Sequence, residues 1–292
     1  MRVVAPGKLV LVGEYAVLDG APAIVVAVDR GVACDVRPAP ALRIETPTGD
    51  DRFVRAALAS AEAPPAAYVF SDWNPAPAAT KVGLGGSAAA VVAALLAGRV
   101  ARGERPAPDA LAREGIAVHR AVQGSGSGLD VAAAAHGGVT RFQDGAATAL
   151  PAEVVPAERL VVAFSGTSAA TGPRVERYRA WPDRAGFAAE SERLVDAFAS
   201  DPIGALAAGG ALLRSMAARA GVDYWTPGID ALVRAATAAG GAAKPSGAGG
   251  GDVVVALFPD AARAATYAAE VAAAGFPVVP VRIAAGAGLL GG

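Results

Sequence analysis

The stretch Gly83-Leu84-Gly85-Gly86-Ser87-Ala88-Ala89 runs directly into Ser87 to Ala101, a segment rich in Ala, Leu and Val and free of proline. Such a run predicts a helix, and because it is apolar nearly all round, a buried one. The first turn of a helix presents unpaired backbone N–H groups and the positive end of the helix dipole. Glycines ahead of it let a ligand approach the backbone closely. Together these features predict a phosphate site. Lys81, just upstream, can add positive charge, and Ser87 can cap the helix or give its hydroxyl to a magnesium ion. Taken alone, the stretch reads equally well as an ordinary capped helix behind a flexible loop. Two other phosphate motifs do not fit. No Gly-x-x-x-x-Gly-Lys-Ser/Thr run occurs. The dinucleotide fingerprint is matched only loosely by Gly83, Gly85 and Ala88, with a poor strand before it and Arg102-Gly103-Glu104-Arg105 after the helix.

Upstream, the chain reads as strands at Leu9 to Val12, Ala23 to Val28 and Val32 to Arg37, with Leu42 to Glu45 pairing with the last. A short helix is expected over Asp51 to Ala61, and loops at Pro64-Pro65 and Asn74-Pro75-Ala76-Pro77. Downstream, helices are expected near Asp109 to Val122 and Asp130 to His136, and a strand at Val139 to Phe142. Pro151 and Pro156 suggest a boundary between two domains, 1–156 and 157–292. The second begins with a buried strand, Leu160 to Phe164. Helical stretches follow near Thr171 to Ala180, Arg184 to Ser200, Pro202 to Ala220 and Thr226 to Ala239. Ala243 to Gly251 reads as a loop, Val253 to Phe258 as a strand, Asp260 to Ala274 as a helix and Val278 to Ile283 as a last strand. Little in the tail from Ala284 suggests that it is held.

Composition narrows the function. The 292 residues are 53% hydrophobic and 18% charged, which excludes a disordered chain. A net charge of -1 argues against a general nucleic-acid binder. One cysteine, Cys34, rules out an internal disulfide framework, and two histidines, His119 and His136, cannot build a His-rich metal site. The longest apolar run, Ala88 to Ala97, is far short of the ~20 residues that span a membrane, and the start of the chain has no apolar signal core. A soluble cytoplasmic protein is expected. Of 26 basic residues only Lys8, Lys81 and Lys244 are lysines. All three lie beside Gly- or Ser-rich stretches, where a compact ammonium is not interchangeable with a guanidinium.

Two further glycine-rich loops stand out. In Gly124-Ser125-Gly126-Ser127-Gly128-Leu129-Asp130 the carboxylate falls in the first turn of a short helix. It can cap that helix, or orient or deprotonate a substrate hydroxyl. Ser246-Gly247-Ala248-Gly249-Gly250-Gly251-Asp252 precedes a strand and reads either as a flexible connector or as a third wall of one anionic-ligand site.

In order and spacing these motifs resemble the GHMP kinase superfamily. The first is Ala5-Pro6-Gly7-Lys8 with Gly13-Glu14-Tyr15-Ala16-Val17-Leu18, the second Gly83 to Ala89, and the third Gly247 to Gly251. The details are similar to the phosphomevalonate kinase branch: Tyr15 after Gly13-Glu14, the long run from His119 to Asp130, Asp252 closing the third loop, and Gly166-Thr167-Ser168-Ala169-Ala170-Thr171. Gly86 departs from the serine usual in the phosphate loop, and Ala170 from the serine before Thr171.

The resemblance implies an α+β, two-domain GHMP kinase fold. Its N-terminal part would be similar to the second domain of ribosomal protein S5 and its C-terminal part ferredoxin-like. It implies ATP-dependent phosphorylation of (R)-5-phosphomevalonate to 5-diphosphomevalonate with Mg²⁺. Lys8 and Asp130 would be catalytic. Lys81, Gly83, Leu84, Gly85, Gly86, Ser87 and Ala88 would hold the nucleotide, with Ser87 also on the metal. Ser127, Arg141, Ser168, Thr171, Ser246, Gly247, Ala248 and Gly249 would bind the acceptor, Arg141 and Lys81 being candidate partners for its phosphate. The expected partner is a small phosphorylated molecule, not nucleic acid or membrane, and the protein a monomer or homodimer. A mevalonate kinase, or a non-catalytic ligand-binding protein on the same fold, is the alternative; a dinucleotide-binding oxidoreductase is more distant.

Overall fold

The computed structural model describes residues 1–75, 83–168 and 172–290. Among these, two sheets organise the chain. The larger runs β10-β1-β2-β4-β3, with β5 and β6 added beside β2. It is built from β1 (Arg2–Val12), β2 (Ala23–Arg37), β3 (Arg43–Glu45), β4 (Ala67–Trp73), β5 (Val139–Gln143), β6 (Ala146–Leu150) and β10 (Gly288–Leu289). The smaller is antiparallel, β7-β9-β8, from β7 (Leu160–Phe164), β8 (Ala242–Pro245) and β9 (Val253–Leu257).

Both faces of the larger sheet are covered, so its central strands are apolar on both sides. Val3, Ala5, Val10, Ala23 and Val25 face one core, shared with α1 (Arg52–Ser60), α2 (Gly86–Ala101), α3 (Pro108–Gln123) and α4 (Leu129–His136). Leu9, Leu11, Ile24 and Val26 face the other, where they meet Leu160, Val162 and Phe164 of β7 and Val255 of β9. The alternation of period two sorts neighbouring residues between these cores. The outer face of the small sheet carries Val161, Ala163, Val254 and Ala256 against α8 (Pro227–Ala238) and α9 (Ala261–Ala273). A fourth cluster packs Tyr15 against Tyr178 of α5 (Gly172–Ala180), Phe187 of α6 (Arg184–Ala197), Leu213 and Met216 of α7 (Pro202–Ala220), and Tyr224. α2 is buried from Ala88 to Val100 except at Ala90 and Arg99, as its all-round apolar sequence predicts.

Several boundaries differ from the sequence reading. β1 begins at Arg2, not Leu9, because a register shift between Pro6 and Gly7 accommodates the proline, which has no N–H to give the ladder. The two stretches from Ala23 to Arg37 are one strand running through Gly31. β3 pairs in parallel with β4, not with β2, since β4, not foreseen, already occupies that edge of β2. β6 was likewise missed, and Ala242–Pro245 is strand, not loop. Residues 278–283 form bridges rather than a strand: Val278 joins Ala163 in the small sheet and Ile283 joins Val28 in the large one. The tail is held. Ala285 bridges to Gly137, and β10 pairs with β1.

Candidate functional site

The residues singled out at the three glycine-rich loops converge on the middle of β1. Lys8 follows the bulge at Pro6, and its backbone N–H donates to the Leu84 carbonyl at 2.9 Å, tying strand to loop. Its side chain is only 7% exposed and ends 3.7 Å from Asp130 Oδ1 at the start of α4. The Asp130 side chain is 40% exposed, so this ion pair has one covered and one open partner. Gly85 lies against both. It occupies the left-handed region at φ +79°, and a Cβ there would stand 3.2 Å from Lys8 and 3.3 Å from Asp130. Only glycine takes that backbone without strain and leaves the space open.

Gly85 caps α2, and no side chain caps it. The helix start therefore keeps its backbone donors for another partner. Space beyond Gly86 is clear. An open, uncapped helix start beside a lysine suits the phosphates of a nucleotide. Among the described residues no group of three or more His, Cys, Asp or Glu could hold a metal ion. A magnesium ion at this place would draw its ligands mainly from phosphate oxygens and water, its usual habit, with Ser87 the hydroxyl at hand. Ser87 does not cap α2. Its Oγ lies 3.1 Å from His119 Nε2 on α3. The His119 ring stacks on Phe53, centroids 5.0 Å apart. Burial pulls the His119 pKa below its ordinary value against the opposing charge of Asp130, which favours the neutral ring.

The third loop is fastened from several sides. Ser246 Oγ accepts from the Val10 N–H at 2.8 Å. Tyr15 O–H donates to the Ala248 carbonyl at 2.7 Å and Tyr224 O–H to the Gly247 carbonyl at 3.2 Å. Gly247 lies beside the Lys8 ammonium, 3.7 Å from where its own Cβ would be. The loop ends at Asp252, whose carboxylate covers Gly83 of the phosphate loop. Beneath it Lys244, fully buried, bonds Glu14, itself 3% exposed, and donates to the Pro245 carbonyl at 2.8 Å. Burial outweighs Glu14 and lowers the Lys244 pKa.

The other candidates fare differently. Ser127 Oγ accepts from the Leu129 N–H at 3.2 Å in the turn that leads into α4, three residues before Asp130. Ser168 lies at the edge of the described chain after β7. Lys81 and Thr171 fall outside the described residues. Arg141 is not brought to Lys8 and Asp130. It sits on β5, and its guanidinium is bonded to Gln143 Oε1 at 3.0 Å and to Asp196 of α6 at 3.2 Å. Arg174 of α5 does reach the site's edge: its guanidinium lies against Gly250, its Nε donates to the Asp223 carbonyl at 2.8 Å, and its charge opposes the burial that raises the Tyr15 phenol pKa.

His119, Tyr15, Arg174 and the Glu14–Lys244 pair thus join the candidate site through contacts that sequence reasoning did not give. Tyr15 was singled out in the sequence by its place after Gly13-Glu14, but its bond to the third loop was not. It adopts φ +64°, rare for a residue with a Cβ, directly after the Gly13-Glu14 pair.

Comparisons with known proteins fit this geometry. A family model of the GHMP kinases N terminal domain matches residues 58–138, and one described as GHMP kinases C terminal matches residues 194–276. The chain is 32% identical to a phosphomevalonate kinase of Streptomyces sp. (strain CL190), over 90% of this chain and 91% of that one. It is 33% identical to a mevalonate kinase of Thermococcus sibiricus (strain DSM 12597 / MM 739), over 61% of this chain and 62% of that one. Among solved structures, a Streptococcus pneumoniae phosphomevalonate kinase in complex with phosphomevalonate and AMPPNP superposes with a TM-score of 0.82 over 97% of this chain and 100% of the other. At 20% identity that likeness speaks to the fold. No helix among the described residues is long and apolar enough to cross a membrane.

Proposed function

The chain belongs to the GHMP kinase family and is a phosphotransferase, and from that premise we propose that it moves the γ-phosphoryl group of ATP to (R)-5-phosphomevalonate. The products would be ADP and 5-diphosphomevalonate. The observation that carries this reading is the meeting of Lys8, Asp130 and the uncapped start of α2 around Gly85. The near full-length match to a phosphomevalonate kinase favours that acceptor over mevalonate.

In this reading the division at 156/157 is functional: residues 1–156 bring the phosphate loop, Lys8 and Asp130, and residues 157–292 bring the loop from Ser246 to Gly249. Phosphoryl transfer rests chiefly on positioning and charge stabilisation. The backbone of Gly83 to Ala88 and the α2 dipole would hold the β- and γ-phosphates. Magnesium, when bound with the nucleotide beside Ser87, supplies charge neutralisation. An acceptor phosphate oxygen attacks the γ-phosphorus as the bond to the β-phosphate bridging oxygen breaks, leaving ADP. Lys8 stabilises the charge on the group in flight, and its compact ammonium suits the narrow space beside Gly85. Asp130 orients the acceptor. A phosphate acceptor is already largely ionised, so Asp130 acts more by position than by removing a proton. For the acceptor's own phosphate we place Arg174 at the loop edge in the role sequence reading gave to Arg141, with Lys81 as the other candidate.

The test is ADP release by purified protein with mevalonate and phosphomevalonate side by side. A large kcat/KM preference for phosphomevalonate is expected, because a site built for a dianion leaves its cations unpaired against a neutral group. Preference for mevalonate would assign the other acceptor within the same family.

A further inference from the structure

A serine that serves a metal ion beside a nucleotide must offer an oxygen lone pair and send its proton elsewhere. The hydroxyl is a free rotor with one proton and two lone pairs, so something must set its direction. Ser87 is not the cap of α2: that position is Gly85, which has no side chain to offer. The partner comes from α3: His119 Nε2, 3.1 Å away. His119 is itself fixed. It is 9% exposed and its ring lies on Phe53 of α1, tilted by 27°. Three helices thus converge to hold one hydroxyl at the mouth of the phosphate loop.

We infer that His119 is a positioning residue for the phosphate loop: its Nε2 accepts the Ser87 hydroxyl proton and turns the oxygen lone pairs toward the nucleotide-bound metal. The inference rests on the kinase reading and holds for either acceptor. A protonated Nε2 would invert the bond and occupy the lone pair that the metal needs. The arrangement therefore requires the tautomer with hydrogen on Nδ1. Partners of this kind that orient a metal ligand typically alter metal affinity by about 10- to 100-fold when lost. A neutral hydrogen bond that only sets a rotor stands at the lower end of that range.

The first test uses the unaltered protein. Its two histidines, His119 and His136, give two sets of imidazole signals in long-range ¹H–¹⁵N spectra. His119 Nε2 should appear as an unprotonated acceptor, and should shift in Ser87→Ala while His136 does not. A proton resident on His119 Nε2 would overturn the inference. The second test is calorimetry of ADP with and without Mn²⁺. His119→Phe keeps a ring to stack on Phe53 but loses the acceptor. It should weaken Mn²⁺–ADP binding by roughly tenfold, leave metal-free ADP binding unchanged, and add nothing to the loss in Ser87→Ala. His119→Gln, with an acceptor at similar reach, should recover most of it. Equal losses with and without metal, or additive losses in the double variant, would reduce His119 to a packing residue. If Ser87→Ala binds ADP with unchanged metal dependence, Ser87 is no metal ligand and the inference falls. If the wild-type protein binds no ADP, the kinase reading falls first. Should His119→Phe not fold, as judged by thermal melting, the spectra decide.

Discussion

Lys8 and Lys244 both stand in glycine-rich surroundings, both are buried, and both face a carboxylate. Lys244 makes an internal bond to Glu14 and further bonds to the Val10 and Pro245 carbonyls at 3.4 and 2.8 Å. Its side chain is 0% exposed and that of Glu14 3%. Lys8 lies 3.7 Å from an Asp130 that is 40% exposed. The first pair is closed on both sides and ties the first glycine motif to the third. The second is looser and open on one side. Lysine beside glycine is therefore not one signal. What separates a brace from a reacting group is how fully the protein satisfies the ammonium.

The largest test of this contrast is on the open pair. Asp130→Asn and Lys8→Met should each lower kcat by roughly 10²- to 10⁴-fold, the usual value of a well-placed acid–base or charge-stabilising group. Neither should move the melting temperature much. Steady-state kinetics and thermal melting of the same samples decide, and a melting loss without a rate loss would make Lys8 a second brace.

The closed pair should behave in the opposite way. Lys244→Met strands a buried Glu14 carboxylate, and removing one partner of such a pair costs about 3–5 kcal/mol of stability. Denaturant titration should show this loss, and adding Glu14→Gln should return much of it, because both charges are then gone. A Lys244→Met protein of wild-type stability would show the brace to be idle.

A smaller effect separates the two arginines. Arg174→Ala should raise the KM for phosphomevalonate by roughly 10- to 100-fold, as for the loss of a charge-assisted hydrogen bond of about 1.5–3 kcal/mol, with little change in the KM for ATP. Arg141→Ala, which breaks a half-exposed pair with Asp196, should change either KM by less than about twofold. Reversed results would restore Arg141 to the site. The smallest effect expected is none at all. Cys34 is buried, its thiol pKa pushed up to about 12 by that burial, so thiol reagents should leave the folded protein unlabelled at pH 8 and label it after unfolding.

Much of this molecule was legible in its sequence. The apolar, proline-free run after Ser87 gave a buried helix, and Pro202 to Ala220 matched α7 end to end, since helix signals are local and lie within a few turns. The phosphate loop stood out as a candidate site because glycines at a helix start have a chemical meaning wherever they occur, and Lys8 and Asp130 were proposed on the family resemblance. Strand partners were less legible. Nothing within Leu42 to Glu45 says that it joins β4 in parallel, because sheet neighbours are chosen by residues far along the chain. The same limit explains the site contacts that were missed. His119 meets Ser87 across 32 positions, Tyr15 meets Ala248 across 233 and Lys244 meets Glu14 across 230. The sequence by itself determined which side chains could bind phosphate and where the helices begin. Tertiary structure alone decided which lysine pairs with an open carboxylate and which is sealed with a buried one, because desolvation and hydrogen-bond satisfaction depend on everything packed around a group, not on its neighbours in the chain.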